Sequence, residues 1–256
     1  MYWVTVSVGI LFVAACGVTG SVVLLFRARR LGIWERGYAV STPHLHRLAS
    51  AIGALAGVVI GVLTLYFADT TDEFSLIEWI GRGSYFLVAG ATSGHLLILL
   101  RTGLHLVREE KAWAAGTSRA QATLSHRRMR LLQSLRRTHK HYIDLKTRDD
   151  QVVDELVGVI GTPLMNARHD LSRIPFYGYL GTVCGILLMA EEIGHINEAT
   201  EPFKVLIAMA RGLVLAFQTT LVALLAFLPL RKAADYLIRR VSRLEEAWSR
   251  ALGEGD

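Results

Sequence analysis

Gln218, Thr219 and Thr220 stand together in the middle of an uncharged apolar run at about 212–230. A second uncharged run, at about 174–190, carries Thr182 among Gly178, Gly181 and Gly185. Polar groups at such depth in an apolar helix generally face a bundle interior or a wet path. Their chemistry is hydrogen bonding without charge. A hydroxyl accepts a bond from a neutral acid and donates one to an anion, and its oxygen suits a hard cation. The other reading of each Thr is a bond to the carbonyl four residues earlier on its own helix. For Thr182, Thr219 and Thr220 the sequence leaves both readings open.

These side chains need elements that hold them in apolar surroundings, and the chain supplies five. The chain has 256 residues, 52% of them hydrophobic. Uncharged stretches occur at about 2–26, 48–68, 83–100, 174–190 and 212–230, and the charges crowd between them. A bilayer core of about 30 Å takes roughly 20 apolar helical residues to cross. Inside it every backbone amide must be satisfied within its own segment, so each stretch is expected to be a helix. The expected fold is therefore all-α, a polytopic membrane bundle of five transmembrane helices with a helical cytoplasmic segment. The two cysteines, Cys16 and Cys184, lie inside apolar stretches and indicate no disulfide framework.

Charge in the gaps orients the spans. The first gap, 27–47, holds five Arg and one Glu, a net of +4. The second, 69–82, holds four acids and one Arg, a net of −3. The third, 101–173, holds fourteen bases and eight acids, a net of +6. The fourth, 191–204, returns to −3, and the tail at 231–243 carries +4. Cytoplasmic loops retain Lys and Arg. The basic gaps are thus expected inside, with the N-terminus outside and the C-terminus in the cytoplasm. Topology accounts for the overall charge of +6, and no nucleic-acid partner is needed to explain it.

Four parts follow: a membrane hairpin at 1–68; a third span running into a basic helical segment at 69–173; a second membrane hairpin at 174–230; and a cytoplasmic tail at 231–256. Gly53, Gly57 and Gly61 recur every four residues in the second span, a face without side chains that permits close packing of a neighbouring helix. In the basic segment Leu124, Arg128, Leu131, Leu135, His139 and Tyr142 recur at helical spacing. Nothing after Leu100 stops the third helix, so it is expected to run on. A break is expected near Gly161–Pro163, because proline disrupts a helix interior. Pro175 suits a first helical turn, where its missing N–H costs little. Arg127–Lys140 reads chiefly as a solvated basic face.

The last two spans carry motifs. The first is Pro175, Gly178, then Gly181-Thr182-Val183 and Gly185. The second is Ala216-Phe217, Thr219-Thr220-Leu221, Ala223-Leu224 and Pro229, with Gly212 ahead of it. Together they resemble the two pore helices of the MotA/TolQ/ExbB proton-channel family, in an unusual five-span form. The resemblance covers roughly 150–240. Phe217, Leu221 and Ala223 depart from the usual Leu, Ala and Gly, and Leu215 stands where some relatives carry an acid. The first hairpin is an addition to the commoner three-span plan.

The resemblance implies an inner-membrane, proton-motive-force motor built as a homo-oligomer, typically a pentamer around two single-span B-type partner subunits. The partner helix would bring a membrane aspartate, and this chain has no Asp or Glu in the apolar runs of its last hairpin. Thr182, Thr220, Thr219 and Gln218 would line the ion pathway. The transported ion would be H+, with Na+ second because Thr219 adds an oxygen; no cofactor or metal is implied. A rival class is a membrane scaffold with no ion path. An enzyme is disfavoured, because His44, His46, His95, His105 and His195 fall on different sides of the expected bilayer or within it. His139 and His141 point apart on a helix.

Overall fold

The computed structural model describes residues 2–37, 44–69, 75–114, 123–138, 142–194 and 202–253. Among them the fold is entirely helical: α1 (Tyr2–Gly37), α2 (Leu45–Asp69), α3 (Leu76–Ala114), α4 (Leu124–Thr138), α5 (Tyr142–Leu171), α6 (Arg173–Gly194) and α7 (Pro202–Gly253). Five helices are long and apolar enough to cross a membrane, as the charge-free stretches predict. His139 and His141, like His195, lie outside the described residues.

The helices pack as two units. The first comprises Met1–Leu25, Ala49–Leu96 and Asp170–Arg231, and it contains the apolar runs with the Thr and Gln side chains. The second comprises Phe26–Leu48, Leu97–His169 and Lys232–Asp256.

In the first unit, α1 and α2 approach until backbone meets backbone. A methyl group on Gly53 would stand 2.7 Å from Ser21 Cα, and one on Gly61 would stand 3.1 Å from Val13 Cα. At Gly57 it would overlap the backbone of Cys16 and Gly17. The Ser21 hydroxyl adds a bond to the Ser50 carbonyl at 3.0 Å. Lipid is as apolar as leucine, so close van der Waals contact of this kind is what holds membrane helices together. α2 meets α3 through Phe67, which packs on Tyr85 and edge-on to Phe86 and lies under the Arg82 guanidinium. Arg82 also pairs with Glu78 one turn earlier.

In the second unit, polar contacts tie α3, α4, α5 and α7. The buried Glu109 carboxylate of α3 accepts bonds from the Leu124 and Ser125 amides, both at 2.9 Å, and from the Ser125 hydroxyl at 2.8 Å. It caps α4, neutralising amide donors that a helix leaves unpaired at its start. Arg128 of α4 pairs with Asp149 of α5 at 2.9 Å, and its guanidinium lies over the Trp113 ring. Burial pulls the pKa of Arg128 below its ordinary value, and Asp149 opposes that pull. Arg168 of α5 pairs with Asp235, and Arg240 with Glu110, joining α7 to α5 and α3. Ala234, Leu237, Val241, Leu244 and Trp248 are buried along α7 at alternating steps of three and four. That spacing is the seam of a coiled coil.

Two expectations about the middle segment come out differently from each other. α3 does run on past Leu100, to Ala114. The break at Gly161–Pro163 does not occur: α5 continues through Pro163 to Leu171. Proline inside a helix costs about 3 kcal/mol. A continuous buried stripe of Val153, Leu156, Ile160, Leu164, Ala167 and Leu171 crosses the proline and offsets that cost. The helix is interrupted for one residue at Ser172 instead, and Pro175 falls in the first turn of α6. Arg128, grouped with the apolar positions by spacing, is indeed buried, so it leaves the solvated face of its basic neighbours.

Candidate functional site

α6 and α7 cross along a line of small residues. A methyl group added to Gly178 would stand 2.6 Å from the Ala223 Cβ. One added to Gly181 would stand 2.5 Å from three atoms of the Thr219 side chain. One added to Gly212 would stand 2.6 Å from the Gly185 carbonyl oxygen. Only hydrogen fits at these positions, which is why the glycines recur at three- and four-residue spacing on one stripe of α6.

That approach brings the hydroxyls together. Thr182 and Thr220 share a hydrogen bond across the two helices. Thr182 Oγ1 also lies 3.2 Å from the Gly178 carbonyl and 3.1 Å from the Ala216 carbonyl. Thr220 Oγ1 lies 3.2 Å from the same Ala216 carbonyl. Each hydroxyl has one proton and two lone pairs. When both protons go to backbone carbonyls, the pair presents only lone pairs and can accept a bond from a neutral acid. When one hydroxyl donates to the other, the second can turn its proton outward to an anion. Both residues are half-buried, whereas Thr219 beside them is fully buried.

Thr219 and Gln218 are placed elsewhere. Thr219 is buried at 1% exposure, and its hydroxyl bonds the Leu215 carbonyl at 2.9 Å and the Ala216 carbonyl at 3.1 Å. Gln218 lies on the exposed side of α7 and accepts a bond from Tyr85 of α3 at 3.5 Å. Pro229 lies inside α7, which passes through it unbroken. Gly53, Gly57 and Gly61 are in the α1–α2 contact, apart from the hydroxyls. His95 is bound to its own helix, with Nδ1 2.6 Å from the Ala91 carbonyl.

Tyr85 has no mark in the sequence to distinguish it from any aromatic residue in a span. Its partner appears only when α3 packs beside α7, where a methyl group on Gly81 would meet Leu215 and Cys184. The outer faces of both helices stay uncovered in a single chain. Phe176, Tyr179, Ile186 and Leu187 of α6 are exposed, as are Phe217, Leu221, Leu225 and Leu228 of α7.

Residues 171–250 match the family model described as the MotA/TolQ/ExbB proton channel family. The match takes in α6 and nearly all of α7, so it is this hairpin that is similar to the family. Residues 1–170 lie outside it. No curated protein and no solved structure matches the chain.

Proposed function

We propose that this chain is the ring-forming subunit of an ion-driven motor in the bacterial inner membrane. It couples proton flow past an aspartate on a single-span partner to rotation of that partner. The observation that carries this reading is the shared hydrogen bond of Thr182 and Thr220, inside the segment that matches the family.

A carboxylic acid tolerates apolar surroundings far better than a carboxylate does. Protonated on the outer side, the partner's aspartic acid passes the apolar wall of α6 and α7 and donates to a lone pair of the hydroxyl pair. Deprotonated toward the cytoplasm, it seeks the donating arrangement of the next such pair. One charge crossing 100 mV gains about 2.3 kcal/mol, enough to bias each step. The carboxyl must come from elsewhere, since neither apolar run of the hairpin contains Asp or Glu. The uncovered faces of α6 and α7 supply apolar surface for neighbouring copies and for partner helices, of which the reading takes five and two.

Basic gaps alternating with acidic ones support an N-terminus outside and a C-terminus in the cytoplasm. A proton is favoured over sodium because the Thr219 side chain is buried against Gly181 and takes its oxygen out of reach. The scaffold reading would leave the hydroxyls facing backbone carbonyls, which all three contact; the added bond between Thr182 and Thr220 across the helices supports the ion path.

The test is proton flux in liposomes carrying the full chain with its co-purified partner. Thr182→Val combined with Thr220→Val is expected to abolish flux while leaving oligomer size unchanged. Undiminished flux in that double variant would sink the proposal.

A further inference from the structure

Thr219 is the polar side chain nearest the hydroxyl pair, one residue from Thr220, and by type it could be a third ion-binding group. Its surroundings point to another role. Thr219 is 1% exposed, whereas Thr182 and Thr220 are half-buried. Its Cβ, Cγ2 and Oγ1 all stand 2.5 Å from where a methyl group on Gly181 would be, so the whole side chain occupies the gap that this glycine leaves. Gly181 immediately precedes Thr182 in α6. The knob and the hole are therefore one residue from the two hydroxyls that meet.

The hydrogen bonds agree. The Ala216 carbonyl lies within 3.1–3.2 Å of all three hydroxyls, Thr182, Thr219 and Thr220. That oxygen has two lone pairs, and the Thr220 amide of the helix itself takes one, so the three hydroxyls compete for the other. Thr219 has the Leu215 carbonyl at 2.9 Å, shorter than its contact to Ala216. The Leu215 carbonyl thus gives Thr219 an acceptor of its own, apart from the Ala216 carbonyl that Thr182 and Thr220 also contact.

We infer that Thr219 is a positioning residue: it fills the hole at Gly181 and so sets the crossing of α6 and α7 at which Thr182 and Thr220 meet, and its hydroxyl does not bind the ion. The inference rests on the reading of Thr182 and Thr220 as the ion-passing pair. It also deepens that reading. With Thr219 withdrawn, two hydroxyl oxygens face the passing ion. That leaves one hydroxyl oxygen fewer for a hard cation, which is held by oxygen ligands.

A size swap tests this, with a readout independent of flux. In the full chain with Cys16→Ser and Cys184→Ala, Thr182→Cys and Thr220→Cys are introduced together. Disulfide formation in membranes is then quantified by mass spectrometry of the linked peptides. The parent is expected to cross-link readily. Gly181→Ala should lower cross-linking by about tenfold, since an overpacked contact forces the helices apart. Adding Thr219→Ala should restore it, although the hydroxyl is now gone. On the native threonines, Thr219→Val should retain flux and the Gly181→Ala, Thr219→Ala double variant should regain it. A double variant that cross-links no better than Gly181→Ala would overturn the inference. So would loss of flux in Thr219→Val with its cross-link intact. If cross-linking follows the expected pattern but the unsubstituted chain carries no protons with its partner, the motor proposal fails and the positioning role stands.

Discussion

Arg128 and Asp149 face each other at 2.9 Å with their side chains almost wholly out of water. Two charges from different helices have been desolvated together. Arg128→Met leaves the Asp149 carboxylate buried beside an apolar chain. Breaking a buried pair from one side costs about 3–5 kcal/mol. Replacing both partners by apolar residues of similar volume is often close to neutral. Arg128→Met alone is therefore expected to lower the Tm markedly in detergent, followed by helical circular dichroism. Arg128→Met with Asp149→Leu should recover most of the loss. A single variant as stable as the parent would show that water reaches the pair.

Glu109 holds the start of α4 through two amides and a hydroxyl. Glu109→Gln keeps one acceptor oxygen and loses the charge. A lost N-terminal cap costs about 0.5–2 kcal/mol. Hydrogen exchange should read this locally: the amides of Leu124 and Ser125 lose protection first, by about tenfold, while α5 and α7 stay protected. Uniform loss across the second unit would mean that Glu109 holds the bundle and not only the cap.

Much of this architecture was legible in the sequence because lipid imposes a simple rule. A helix crossing lipid has to be apolar throughout, so the five spans stand out as charge-free runs. The glycines and Thr182 could be read because close helix contact needs small residues at helical spacing. The second unit was harder. α4 and α5 show helical spacing, and that spacing sets Arg128 among the apolar positions, but nothing in the sequence names its partner, because Asp149 is 21 residues away. Pro163 misled for a related reason. Local propensity argued for a break, and the buried stripe that overrides it is a property of the packed bundle. Thr219 and Thr220 are adjacent and identical, yet about 100° of helical rotation sends one into the Gly181 gap and the other toward Thr182.

The α1–α2 hairpin offers a graded test of close packing. A methyl group at Gly57 would overlap backbone, at Gly61 it would meet neighbours at 3.1 Å, and at Gly32 nothing lies within 4 Å. Backbone cannot give way as a flexible side chain can. Gly57→Ala should therefore destabilise by about 1–3 kcal/mol and Gly61→Ala by less. Gly32→Ala should be neutral or stabilising, since alanine is favoured in helices by about 1 kcal/mol. Tm values of the three variants check the order. Equal effects at Gly57 and Gly32 would mean that α1 and α2 are not in contact.

Thr182 and Thr220 supply the last prediction, because a shared hydrogen bond makes two residues act as one. If each hydroxyl served the ion independently, the losses in Thr182→Val and Thr220→Val would multiply. In the proposed mechanism each hydroxyl relies on the other, through their shared hydrogen bond, to switch between accepting and donating. Removing either leaves a single hydroxyl that falls back on a carbonyl of its own helix, Gly178 for Thr182 and Ala216 for Thr220. Residues in contact commonly couple by about 0.5–3 kcal/mol. Each single variant should therefore lose most of the proton flux, and the double variant should be little worse than either. Flux measured with the partner subunit present, at equal amounts of assembled complex, decides it. Multiplicative losses would mean that the two hydroxyls meet the ion at separate points along its path.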